Sequence, residues 1–161
     1  MVGDLAANRA RGTYLSSPKR GVRVVLDMSD EQAVVLAAAL DLFLRVGIGQ
    51  LENVDEVWTS YYPASCADQV AHDLAVRYLM AYKAGMTGYP PNASHSICSP
   101  VVHEVFKVAT DIHDVVRNAR AWHRQPEGGV GVDFYSPFHH AQTPLPAVKI
   151  RPARKRPSKP A

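Results

Sequence analysis

Between Ala33 and Leu44 the chain reads AVVLAAALDLFL, and Asp41 is the one polar residue in the run. The residues ahead of it are SDEQ. Ser29 with Gln32 three positions later is a capping-box pattern, so a helix starts here. It is expected to run to about Val46 and to stop at Gly47. A helix that is apolar all round has to be covered on all sides, in a core or at a subunit interface. A chain of 161 residues suggests a single domain, which has room for one central helix. A second copy of the chain would supply the other cover more easily. Self-association through the 33–44 helix is therefore expected. Asp41 and Arg45 lie four apart, acid first, the favourable order for a helical ion pair.

The rest of the chain is read around that helix. VRVVLDM, 22–28, is rich in β-branched residues and predicts a strand. GIGQLENVDEVW predicts a short second helix after the Gly47/Gly49 break. ASCADQVAHDLAVRYLMAY, 64–82, predicts a third helix, with Ser65 as cap and Asp68 in the first turn. Its apolar positions 67, 70, 71, 74, 78 and 81 are expected to form a buried face. AGMTGYPPNASHSICS is then a long loop, and such loops are often functional. Ser99 as cap and Pro100 at the first helical position predict a fourth helix to about Arg124, ended by QPEGG. VGVDFY follows, and the alternation of Val130, Val132 and Phe134 predicts a second strand. The expected fold class is α+β and mostly helical: about four helical segments with a small two-stranded antiparallel sheet. The expected organisation is a flexible segment over 1–20, one α+β domain over 21–140 and a disordered basic, Pro-rich tail over 141–161.

The mean charge misleads. The chain is net +3, but residues 149–159 hold six Lys or Arg and no acid, and residues 1–20 hold four basic residues against Asp4. Residues 21–148 carry eight basic and fourteen acidic residues, net −6. The tail could make weak, salt-dependent contact with nucleic acid, though it has no aromatic residue to stack a base. Two cysteines with no paired ligand spacing argue against a Cys zinc site and for reduced thiols in a cytoplasmic protein. The N-terminus has no apolar run of a secretory signal, and no stretch reaches a membrane span's ~18 apolar residues.

Against that acidic background one stripe stands out. HDVVRNARAWHR places His113, Arg117, Arg120 and Arg124 at spacings of four, three and four. At ~100° per residue, Val102, Val105, Ala109, Ile112, Val116 and Ala119 form the core face of this helix. His103, Lys107, Thr110 and Asp114 lie opposite, and the stripe runs along the border. Border positions let an Arg stem cover apolar surface while its head stays wet. Cations at a helix C-terminus are favoured by the dipole, which accounts for Arg120 and Arg124 better than for Arg117. Arg is also the residue for bidentate recognition of phosphate, and Trp122 could stack a base. Two readings stay open: a structural stripe paired within the protein, or a ligand-binding face made of His113, Arg117, Arg120, Arg124 and Trp122.

No catalytic set is visible. There is no P-loop, no GxSxG, and GIGQ follows a helix rather than a strand. The doublets His72–Asp73 and His113–Asp114 invite comparison with HD-type phosphohydrolases, with His72, His95 or His103 upstream and Asp133 downstream. The spacings are shorter than that family's. Asp111 and Asp114 are read as neutralising nearby cations. Neither a catalytic residue, a metal nor a cofactor is expected.

A strand leading into SDEQAVVLAAALDLFLRVGIGQLENV, a later DIHDVVRNARAW helix and a closing PEGGVGVDF segment resemble small bacteriophage and prophage accessory proteins. The resemblance covers roughly 22–137. It implies a host-cytoplasm setting and a host-directed role such as counter-defence. Some such proteins are sponges that bind immune nucleotides without cleaving them, often at subunit interfaces. The expected function is thus sequestration of a phosphate-bearing nucleotide by the Arg-rich face. The alternatives are a small HD-like nucleotide phosphohydrolase and a protein that inhibits a host factor by binding it.

Overall fold

A computed structural model describes residues 24–61 and 69–151. The 1–20 segment, the Ser65 and Asp68 cap, and the tail from 152 onward lie outside the described residues. The described chain is four helices: α1 Asp30–Ile48, α2 Glu52–Tyr61, α3 Gln69–Thr87 and α4 Glu104–Arg124. A single 3-10 turn, Val132–Phe134, follows α4.

The start of α1 matches expectation. The Ser29 hydroxyl accepts from the Gln32 N–H at 3.2 Å, and the Ser29 N–H donates to Gln32 Oε1 at 2.9 Å. Its end lies further on. Gly47 is helical, and the stop is Gly49, which takes the left-handed conformation at φ 89° and donates to the Arg45 and Val46 carbonyls. Gly47 serves packing instead: the Phe106 ring of α4 occupies the space where a Cβ would stand. The expected Asp41–Arg45 pair is present at 2.7 Å.

α1 and α4 form the central pair. Phe43 meets Phe106 at 5.0 Å near one end. At the other, Arg120 makes a two-pronged pair with Asp30, Nε to Oδ1 at 2.5 Å and Nη2 to Oδ2 at 2.9 Å. One contact at each end sets the helices antiparallel. Val102, Ala109, Val116 and Ala121 are buried along this line. Among the described residues α1 is not covered on all sides: Val34, Val35, Phe43 and Val46 are exposed.

α2 and α3 pack against each other, tied by His72 Nε2 to Asp55 at 2.7 Å. That hydrogen bond and the Asp55 charge raise the His72 pKa above its ordinary value, against a smaller cost of burial. The face of α3 expected to be buried is turned the other way: Val70, Leu74 and Tyr78 are 75%, 48% and 68% exposed. The fully buried side chain is Lys83, whose Nζ donates to the Pro91 carbonyl and lies 3.5 Å from Glu52. A tethered charge can decide which face of a helix turns inward, because a buried ammonium must be paired.

The expected two-stranded sheet is not formed, and among the described residues there is no strand. Residues 24–28 have no sheet partner, with Val24 and Val25 80% and 89% exposed. VGVDFY curls into the 3-10 turn. The Asn118 amide of α4 donates to the carbonyls of Asp133, at 2.7 Å, and Tyr135, at 2.9 Å. Those carbonyls are therefore held by a helix side chain and not by a neighbouring strand. β-propensity expresses fit to a pleated surface, and no such surface forms here. The fold class is corrected from α+β to helical. The start of α4 also moves by one turn: Ser99 and Pro100 open a turn closed by Val102 N–H to Ser99 O, and His103 is the cap, its Nδ1 accepting from Val105 at 3.2 Å.

Candidate functional site

The return segment after α4 builds the site. Residues 132–142 run back along a face of α4 that the sequence pattern assigns to solvent. Three α4 side chains hydrogen-bond their backbone. Asn118 takes the 3-10 turn, as above. Asp111, 2% exposed, accepts the N–H groups of His140 at 2.9 Å and Ala141 at 3.1 Å. Glu104, in the first turn of α4, accepts the Gln142 N–H. Thr110, Asp111 and His113 are buried. A buried carboxylate needs compensating donors, and here backbone amides supply them. Ala141 and Gln142 thus belong to the packed structure, past the boundary expected at 140.

Between α4 and this segment lies a cavity of about 250 Å³. Asp114, Arg117 and Asn118 form its helix side. Val132, Tyr135, Pro137 and Phe138 form its mainly apolar other side. Arg117 bridges two carboxylates, with Nη2 3.5 Å from Asp114 and Nε 3.1 Å from Asp133. The approach to Asp133 is angled so that Nε, itself shielded from solvent, makes no hydrogen bond. Asp114 also accepts from His113 at 3.0 Å. Burial works against the Asp114 charge most strongly. The His113 hydrogen bond and the fields of Arg117, His113 and His140 together outweigh it, and the pKa falls below the ordinary carboxylate value.

The structure divides the stripe. Arg117 lines the cavity. His113 is buried beneath Asp114. Arg120 is committed to Asp30, which lowers the Asp30 pKa through that hydrogen bond. Arg124 is exposed at the helix end, close enough to act on Asp30. Trp122 packs edge-on against Phe134 at 5.5 Å and lies outside the cavity lining. Asp114 neutralises a cation as expected, whereas Asp111 serves backbone amides.

The HD components are dispersed. His72 pairs with Asp55, His95 Nδ1 lies 3.3 Å from the Tyr89 hydroxyl, and His103 caps α4. The cation between Asp114 and Asp133 is Arg117. Among the described residues no group of three or more His, Cys, Asp or Glu is arranged to hold a metal ion. Among them also, no helix is long and apolar enough to cross a membrane. Tyr135 is legible in the sequence only as the end of an expected strand, and nothing local marks Phe138 or His140. Comparison with protein-family models, with curated proteins and with solved structures found no match.

Proposed function

We propose that this protein is a non-catalytic binding protein that takes a nucleotide-class ligand, with Arg117 at the centre of the site. The observation that carries the reading is Arg117 in a cavity walled by Tyr135 and Phe138. A guanidinium offers paired donors to phosphate, and aromatic rings offer a base a stacking surface. The cavity is smaller than the roughly 300–1,000 Å³ of typical ligand sites. It would take one end of a nucleotide and leave the rest outside. A phosphate would have to displace Asp133, the more exposed of the two carboxylates on Arg117. The host-cytoplasm, counter-defence setting belongs to the same proposal and rests on the resemblance described above.

The test is equilibrium binding of a panel of cyclic nucleotides and ADP-ribose derivatives, followed by analysis of what heat releases. The expected result is a ligand released intact. Arg117→Ala should weaken binding by at least about tenfold, the loss of one charged hydrogen bond of ~1.5–3 kcal/mol. Asp133→Asn should tighten it by removing a carboxylate charge that competes with phosphate for Arg117. A panel in which nothing binds sinks the proposal. A ligand returned cleaved, with metal dependence and loss in His113→Ala, would make the protein an enzyme instead.

The exposed apolar residues of α1 favour a second reading alongside the first, self-association through the 33–44 helix. Val34 and Val35 are 45% and 68% exposed, near the end of α1 that Asp30 and Arg120 pin. Light scattering at micromolar concentration should give the mass of a dimer or larger. A monomer mass removes this reading and leaves the cavity reading untouched.

A further inference from the structure

We propose that Cys98 is a histidine-activated thiol, a site of covalent modification by peroxides, with His140 as its base. Cys98 Sγ lies 3.7 Å from His140 Nδ1, within reach of a sulfur hydrogen bond. The two residues are 42 positions apart, so only the tertiary structure pairs them. Cys98 is exposed at the end of the loop after α3. His140 is held from behind through its main chain: its backbone N–H donates to buried Asp111, and its ring lies 6.3 Å from that of Phe138. The thiol therefore faces solvent while its partner is fixed to α4.

The thiolate, and not the thiol, is the nucleophile in cysteine chemistry. A base within hydrogen-bond reach is the arrangement that activates it. Asp114 lies close enough for the His140 charge to act on it. Asp111 and His139 are the other titratable groups here, with His139 Nε2 3.8 Å from Asp111. The chemistry can be narrowed. Acyl transfer needs N–H donors aimed at an oxyanion. The Cys98 N–H is directed instead to the Ser96 hydroxyl at 3.3 Å. Oxidation to sulfenic acid needs no such donor. In that step His140 takes the thiol proton and sulfur attacks one oxygen of a hydroperoxide. An S–O bond forms, the O–O bond breaks, and the departing alkoxide takes the proton back from His140. Cysteine is oxidised to sulfenic acid and the peroxide is reduced to an alcohol, or to water from hydrogen peroxide.

The test uses the full chain carrying Cys66→Ser, so that one of the two thiols remains. Hydrogen peroxide followed by dimedone should place an adduct on Cys98, and Cys98→Ser should remove it. Iodoacetamide should alkylate the protein at pH 7 faster than it alkylates free cysteine. His140→Gln should slow that reaction about tenfold, in line with the dependence of thiol reactivity on the thiolate fraction. The difference should close near pH 9.5, where hydroxide competes for the proton. His139→Gln, one position away and not paired with the thiol, should leave the rate unchanged. A thiol that reacts at pH 7 no faster than free cysteine overturns the proposal without recourse to any variant. Equal rates in the parent and His140→Gln proteins overturn the role of His140.

Discussion

Asp111→Ala should lower the free energy of unfolding by at least about 3 kcal/mol, since it removes two charge-assisted hydrogen bonds of ~1.5–3 kcal/mol each. Those bonds hold the N–H groups of His140 and Ala141. Ala141 is itself buried, so its amide loses its partner without gaining water. The effect should be local as well as global. Amide exchange should accelerate most at His140 and Ala141, and less in the α1–α4 pair, which Asp30–Arg120 and Phe43–Phe106 still hold. Asp111→Asn retains one acceptor oxygen and should lose roughly half as much. If both amides keep their protection in Asp111→Ala, the return segment is held by other means, and the cavity wall does not depend on this carboxylate. The same variant bears on function, because the segment that Asp111 clamps carries Tyr135, Phe138 and His140.

The second large effect is expected at Gly47. The Phe106 ring stands where a side chain at this position would begin. Gly47→Val should cost about 2–3 kcal/mol, the usual range for overpacking. Gly47→Ala should cost less, because alanine in a helix interior recovers about 1 kcal/mol over glycine. Calorimetric melting of the two variants gives the order directly. Phe106→Leu should recover part of the loss in Gly47→Val, and a double-mutant cycle measures how much. Additive effects at the two positions would mean that the ring and the glycine do not compete for one space.

Both expectations concern contacts that pattern reading approached and missed. A glycine after an apolar run usually marks a helix end, which by pattern points to Gly47. The chain offers two glycines there, and local chemistry does not say which takes the left-handed conformation. The choice falls to Gly49, since the helix must reach far enough for Gly47 to meet Phe106. Asp111 was read as a neutraliser of cations on its own helix. Its partners come from 29 and 30 residues away, on a stretch with no periodicity to announce that it packs. The stripe was half legible. Its residue types and spacing could be read along the helix, but Asp30, 90 residues away, claims Arg120, and Asp133 reaches Arg117.

What the sequence determined by itself is local. The Ser29–Gln32 capping box, the Asp41–Arg45 pair and four helical segments follow from contacts within one or two turns, where spacing alone fixes geometry. What the tertiary structure decided is every feature that depends on a distant partner. The two β-branched stretches found no edge to pair with, so strand propensity was not realised. The face of α3 turned inward carries Lys83 and its partners, against an apolar count that favours the other side. The cavity at Arg117 and the Cys98–His140 pair exist because residues 132–142 fold back onto α4. Hydrophobic periodicity reports which side of an element avoids water, and it is silent on which distant segment arrives to cover the rest.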